Sequence, residues 1–249
     1  MSEQHLDHSS RKCYRKFLIF QSSISILLLA VTAFYLQMLS PGYAFGIVLT
    51  ALWVMGSHGF LAYFLRAWRT PADWVTLLRF WVGIAGLMIA SCGGAVALVL
   101  VMMIIASFGD WMDGRLATLY GGTPQGAILD AETDQALVFM LAVLGVTVGG
   151  LGVWLLLFPL YRYGYVLLLE VFAIPADDPK PKAGGNLRGR IVCAATQVVL
   201  LANLLPHLAL PAKNLLSALA LVFLTYSFAD DILYQFRERF IPSLHSPKS

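Results

Sequence analysis

Long apolar stretches separated by short polar breaks run through this chain, and an α-helix needs roughly 20 such residues to cross about 30 Å of hydrocarbon. The first stretch runs from Phe17 to Met38 and stops at Ser40-Pro41-Gly42. The second runs from Tyr43 to Phe64 and stops in the segment Arg66 to Pro71. A third opens on the helix-start pair Thr70-Pro71, continues through Trp74 to about Ser91, and turns at Gly93-Gly94 into a fourth. Between Gly126 and Phe172 only Gly149-Gly150 interrupts, which suits two helices joined by a very short turn. The polar stretch Pro175 to Gly189 follows, and then Arg190 to Leu205 and Asn214 to about Leu233 supply a last pair. The pattern predicts an all-α polytopic membrane protein with about eight transmembrane helices.

Composition agrees with that fold class: 59% of residues are hydrophobic, 12% are charged, and the mean hydropathy is +0.74, values that exclude an ordinary soluble core. Residues 1–16 are polar and end in basic residues, but the following run lacks a small-residue cleavage site, so it reads as a retained span rather than a signal peptide. The three cysteines, Cys13, Cys92 and Cys193, have no CxxC spacing and suggest neither a disulfide framework nor a zinc site. The net charge of +3 says less than its distribution. Basic residues near spans accumulate on the cytoplasmic side. With the N-terminus inside, the residues from Arg11 to Lys16, Arg66 and Arg69, Lys180 to Arg190, and Arg237 to Lys248 all fall there, leaving Lys213 outside. Both termini and the connection between the fourth and fifth spans are then expected to be cytoplasmic.

That connection carries the chemistry. The segment DWMDGRLAT holds Asp110, Asp113, Gly114, Ala117 and Thr118, and GAILDAETD holds Gly126, Asp130 and Asp134. Asp110 and Asp113 are three apart and Asp130 and Asp134 four apart, so each pair projects from one side of its helix, whereas Glu132 points elsewhere. Tyr120 to Gln125 is loop chemistry, with Thr123-Pro124 as N-cap and first position of the next helix. Four carboxylates beside hydrocarbon repel one another and need cations. Hard oxygen ligands of this kind suit Mg2+ or Mn2+, and two such ions roughly 4 Å apart are a recurrent device for gripping phosphates. No HExxH, P-loop or Rossmann pattern is present, and no nucleic-acid partner is indicated.

These residues resemble the CDP-alcohol phosphatidyltransferase family, whose signature is DxxDGxxAR followed after a short gap by GxxxDxxxD. Asp110, Asp113, Gly114 and Ala117 match the first half and Gly126, Asp130 and Asp134 the second. Thr118 stands where the family has arginine, Gln135 where many members have lysine, and the gap before Gly126 is one residue short. Thr70-Pro71 and Thr76-Leu77-Leu78-Arg79 look like the start of the family's six-helix core. The resemblance thus implies a catalytic membrane domain over 70–235 with two added N-terminal helices over 17–69, and the charge asymmetry makes 1–16 and 236–249 the expected cytoplasmic ends.

What the resemblance implies chemically is attack of an acceptor hydroxyl on a CDP-linked phosphoryl group, with CMP leaving, in phospholipid synthesis. The expected donor is a CDP-alcohol, CDP-diacylglycerol in the first instance, and the acceptor alcohol stays open. Asp110, Asp113, Asp130 and Asp134 would hold two divalent cations, with Asp134 as general base. Asp110, Asp113, Gly114, Ala117, Thr118 and Gly126 would meet the nucleotide. A homodimer in a bacterial inner (plasma) membrane is the expected setting, with membrane lipid as a partner.

Arg162, Arg188 and Arg190 are candidates for the acceptor, while Lys180 and Lys182 fit topology as well as binding. Arg115 lies close enough around its helix to Thr118 to stand in for the absent arginine. Arg79 carries the weakest functional signal of the basic residues, and Asp230 and Asp231 read as solvated end groups. Two other classes stay open: a membrane transporter that uses the acidic cluster as a divalent-cation site, and a noncatalytic relative, to which Thr118 points.

Overall fold

The computed structural model describes residues 8–38, 43–65, 68–174 and 187–240. Within them the chain forms α1 (His8–Met38), α2 (Tyr43–Leu65), α3 (Pro71–Ser91), α4 (Val96–Tyr120), α5 (Pro124–Thr147), a 3-10 turn (Val153–Leu156) leading into α6 (Leu157–Val171), α7 (Leu187–Ala202) and α8 (Leu210–Phe240), with no strand among the described residues. Arg66, Lys180, Lys182 and Lys248 lie outside the described residues, as does most of the C-terminal tail.

The molecule is a multi-pass integral membrane protein, and the described residues form eight α-helices, the expected number. Six of the segments are long and apolar enough to cross a bilayer by themselves: α1, α2, α3, α4, the 3-10 turn with α6, and α8. The other two differ for separate reasons. α7 has only 16 residues, and α5 carries Asp130, Glu132 and Asp134 on an otherwise apolar helix. α5 compensates by position. Its residues from Ala136 to Val146 are buried nearly all round, packed against α2, α3, α6 and α7, so protein rather than lipid surrounds it. Leu137, Phe139, Met140, Leu141 and Leu144 are fully buried there and form the centre of the main core. Conversely, Phe108, Trp111, Val222, Phe223 and Tyr226 are exposed on the outer helices, as expected where hydrocarbon is the solvent.

The start of α3 is fixed by its sequence. Thr70 takes an extended conformation as N-cap, its hydroxyl accepts from the Asp73 backbone N–H at 3.2 Å, and Asp73 Oδ2 accepts from the Thr70 and Arg69 backbone N–H groups at 2.9 Å each. This reciprocal capping box satisfies donors that would otherwise be orphaned beside Pro71. α3 and α4 then pack along most of their length. Gly109 is what lets them close at the site, because a Cβ there would lie 3.0 Å from Cβ of Arg79.

The connections fall where the pattern predicts. Gly93-Gly94 turns α3 into α4, Gly149-Gly150 turns α5 into the 3-10 segment, and Thr123 caps α5 by accepting from the Gly126 N–H at 3.0 Å. Asp130 and Asp134 lie well inside α5, some way beyond its first turn.

Candidate active site

Three helices deliver the acidic constellation to one place. α4 supplies Asp110 and Asp113, α5 supplies Asp130 and Asp134, and α3 supplies Arg79, whose side chain is only 2% exposed. The guanidinium reaches all four carboxylates. Its Nη2 lies 2.6 Å from Asp130 Oδ1 and 2.6 Å from Asp134 Oδ1, its Nη1 3.3 Å from Asp110 Oδ1, and its Nε 3.3 Å from Asp113 Oδ2. Arg79, the basic residue with the weakest functional signal in the sequence, is the centre of the cluster. The signal for it was present: it is the one basic residue in a 21-residue apolar helix, and a charge in such a place requires a partner.

The four aspartates are not equivalent. Ligand oxygens of Asp110, Asp130 and Asp134 all lie within 4.8 Å of one another, which is a spacing that can hold a metal ion. These three side chains are also open to solvent, at 53%, 37% and 37% exposed, whereas Asp113 is 5% exposed and accepts a hydrogen bond from the Thr76 hydroxyl at 2.9 Å. The donor set fits Mg2+ or Mn2+: it is all carboxylate, convergent and reachable, and it already gathers around a cation in the form of the guanidinium. One monocation among four carboxylates leaves a large negative excess, which divalent ions would neutralise.

Next to this cluster is a pocket of about 150 Å³ lined by Ala72, Asp73, Thr76, Asp113, Gly114, Ala117, Gly122, Thr123, Gly126, Ala127 and Asp130. Most of the residues expected at the nucleotide are therefore together in its wall: Asp113, Gly114, Ala117 and Gly126. The first turns of α3 and α5 both open onto it, and helix N-termini present N–H groups and positive dipole ends to anions. Gly126 has a steric reason to be glycine, because a Cβ there would run into Asp73 Oδ1.

Other expected residues lie elsewhere. Thr118 is exposed, donates to the Gly114 backbone carbonyl at 2.9 Å and is not part of the pocket wall. Arg115 does not turn toward Thr118's neighbours in the pocket; its guanidinium sits over the Trp111 ring, 5.0 Å from the centroid. Arg162 pairs with the buried Glu132 at 3.0 Å, on the side of α5 away from the cluster. Arg188 pairs with Asp230, so that carboxylate links α7 to α8 while remaining open to solvent. Arg190 is exposed on α7.

A family model for CDP-alcohol phosphatidyltransferases matches residues 69–227, from the capping residues of α3 into α8. The chain belongs to the CDP-alcohol phosphatidyltransferase family. No curated protein and no solved structure matches it. Membership in the CDP-alcohol phosphatidyltransferase family supports phosphatidyl transfer as the general activity and a membrane setting for it, and both halves of the acidic motif, together with Arg79, lie within the matched segment.

Proposed function

We propose that the protein is a Mg2+- or Mn2+-dependent phosphatidyltransferase that takes CDP-diacylglycerol as donor, passes the phosphatidyl group to an acceptor hydroxyl and releases CMP. The observation that carries this reading is the convergence of Asp110, Asp113, Asp130 and Asp134 on Arg79, beside a pocket walled by Gly114, Ala117 and Gly126.

In the reaction, the acceptor oxygen forms a bond to the phosphorus that bears the lipid, the bond from that phosphorus to the bridging oxygen breaks, and CMP leaves with the electron pair. Divalent cations held by the four aspartates would supply Lewis-acid stabilisation of charge on the diphosphate oxygens. Asp134 takes the acceptor's proton on its carboxylate, which is open enough to be reached by a second substrate. Arg79 holds the carboxylates together and contributes a fixed positive charge where the leaving diphosphate oxygen becomes anionic. Asp113, tied to Thr76, is the rigid member that sets one edge of the cage. The glycines at 114 and 126 let backbone approach the nucleotide closely.

The lipid part of the donor stays among the helices while its head reaches the pocket, which explains why such a site belongs in a membrane protein. The reading includes a catalytic domain over 70–235, α1 and α2 as an addition to it, cytoplasmic termini and active site, a bacterial inner membrane and a homodimer. The test is direct. Protein in lipid nanodiscs, given CDP-diacylglycerol, Mn2+ and a panel of acceptor alcohols, is expected to release CMP and to yield a new phospholipid visible by mass spectrometry. Absence of metal-dependent CMP across the panel overturns the proposal.

A further inference from the structure

Glu132 stands between Asp130 and Asp134 in sequence and is turned away from both. Residues two apart on an α-helix are about 200° apart, so Glu132 projects from the opposite side of α5. Its side chain is 2% exposed and its Oε1 accepts from Arg162 Nη2 at 3.0 Å and from the Tyr14 hydroxyl at 3.3 Å. Arg162 comes from α6 and Tyr14 from α1. A second tie joins those two helices: Arg15 Nε donates to both oxygens of Glu170 at 2.9 Å, and its Nη2 donates to Oε2 at 2.6 Å. Leu18 on α1, Leu61 and Leu65 on α2, and Leu129 on α5 pack together around Tyr14 in a separate small core. α1 thus reaches the helix that carries Asp130 and Asp134 through the Tyr14 hydroxyl and through its packing on α6, although it lies outside the segment 69–227 that the family model covers.

A buried ion pair adds little net stability compared with apolar residues of the same volume, so stability alone does not account for Glu132 and Arg162. Fixing the rotation of a helix does. Asp130 and Asp134 can meet Asp110 only at one rotational setting of α5, and metal ligands tolerate only small errors in placement. Resting on the reading of the acidic cluster as a metal-dependent transfer site, we infer that α1 is a brace for that site: Tyr14 and Arg162 are positioning residues that act through Glu132 to hold Asp130 and Asp134 in register with Asp110.

The experiment compares the full-length protein with Tyr14→Phe, Glu132→Gln and, as a control, Trp53→Phe, which removes a hydrogen bond of 2.9 Å from Trp53 Nε1 to Ser25 between α2 and α1, a tie that does not include Glu132. Mn2+ binding is followed by electron paramagnetic resonance, melting by intrinsic fluorescence, and turnover by CMP release. The Mn2+ Kd is expected to rise about threefold to tenfold in Tyr14→Phe and Glu132→Gln, below the 10–100-fold typical where the lost partner touches a ligand directly. Turnover is expected to recover when Mn2+ is raised to saturation, and Trp53→Phe is expected to keep the Mn2+ affinity of the unaltered protein. Unchanged Mn2+ affinity in both brace variants, with only a lowered melting temperature, overturns the inference. So does an equal loss of affinity in Trp53→Phe. If the unaltered protein binds Mn2+ but releases no CMP, the transferase reading fails while the ratios of Kd still decide the brace; if it binds no Mn2+ at all, both fall.

Discussion

Replacing Arg79 by Gln removes one positive charge from among four carboxylates and shortens a buried side chain while keeping it polar. At the 4.8 Å within which oxygens of Asp110, Asp130 and Asp134 gather, each like-charge pair costs about 3.5 kcal/mol at an effective dielectric of about 20. Breaking a buried ion pair typically costs about 3–5 kcal/mol. Asp130 and Asp134 are each 37% exposed and Asp110 is 53% exposed, so water screens the repulsion and the low end, about 3 kcal/mol, is the appropriate magnitude. For a chain of this size that corresponds to a fall in Tm of about 6–12 °C. The assay is thermal unfolding in nanodiscs, first with EDTA and then with millimolar Mn2+. The full fall is expected in EDTA, where Arg79 is the only cation in the cluster among the described residues. In Mn2+ the fall is expected to shrink by at least half, because dications neutralise the same carboxylates. An equal fall in both conditions would show that Arg79 supports the packing of α3 against α4 rather than the charge of the cluster, and the electrostatic argument would be refuted.

Asp134→Asn, which keeps the shape of the side chain but cannot accept a proton, is expected to lower CMP release by about 10²–10⁴-fold with little change in Tm. Removing divalent ions with EDTA is expected to abolish CMP release, with recovery on adding Mg2+ or Mn2+ and none on adding Ca2+-free monovalent salt; turnover that persists in EDTA would remove the metal from the proposal. Gly126→Ala places a methyl group against Asp73 Oδ1, so the KM for the CDP-linked donor is expected to rise while Mn2+ affinity holds. Equal KM values would mean that the pocket wall there does not meet the nucleotide.

Much of the fold could be read from the chain because a bilayer makes length and apolarity decisive. The runs before and after Ser40-Pro41-Gly42, the Thr70-Pro71 start and the Gly93-Gly94 and Gly149-Gly150 turns all appear as helix boundaries. The meeting of DWMDG with the LDAETD segment was legible as well, since the link between α4 and α5 is short and both acidic pairs have helical spacing. The partners of the arginines were not legible. Arg79 meets Asp130 and Asp134 at separations of 51 and 55 residues, Arg162 meets Glu132 at 30, and Arg188 meets Asp230 at 42. Periodicity assigns a residue to a face of its own helix, but which helix that face meets is decided by packing. A charge inside an apolar run does announce that a partner exists, and for Arg79 the densest acidic segment of the chain was the obvious place to look.

The composition of α5 has a consequence for how the protein is made. A carboxylate at the middle of a span costs about 2.5–3.5 kcal/mol during insertion, and α5 carries three acidic residues in its first half. Such a segment gains too little from lipid to leave the translocation machinery unaided. α3, made before it, already offers Arg79, whereas α6 brings Arg162 only afterwards, so in a ribosome-bound intermediate ending just after Thr147 the helices α1–α4 should resist alkali extraction while a cysteine introduced into α5 stays open to an aqueous thiol reagent.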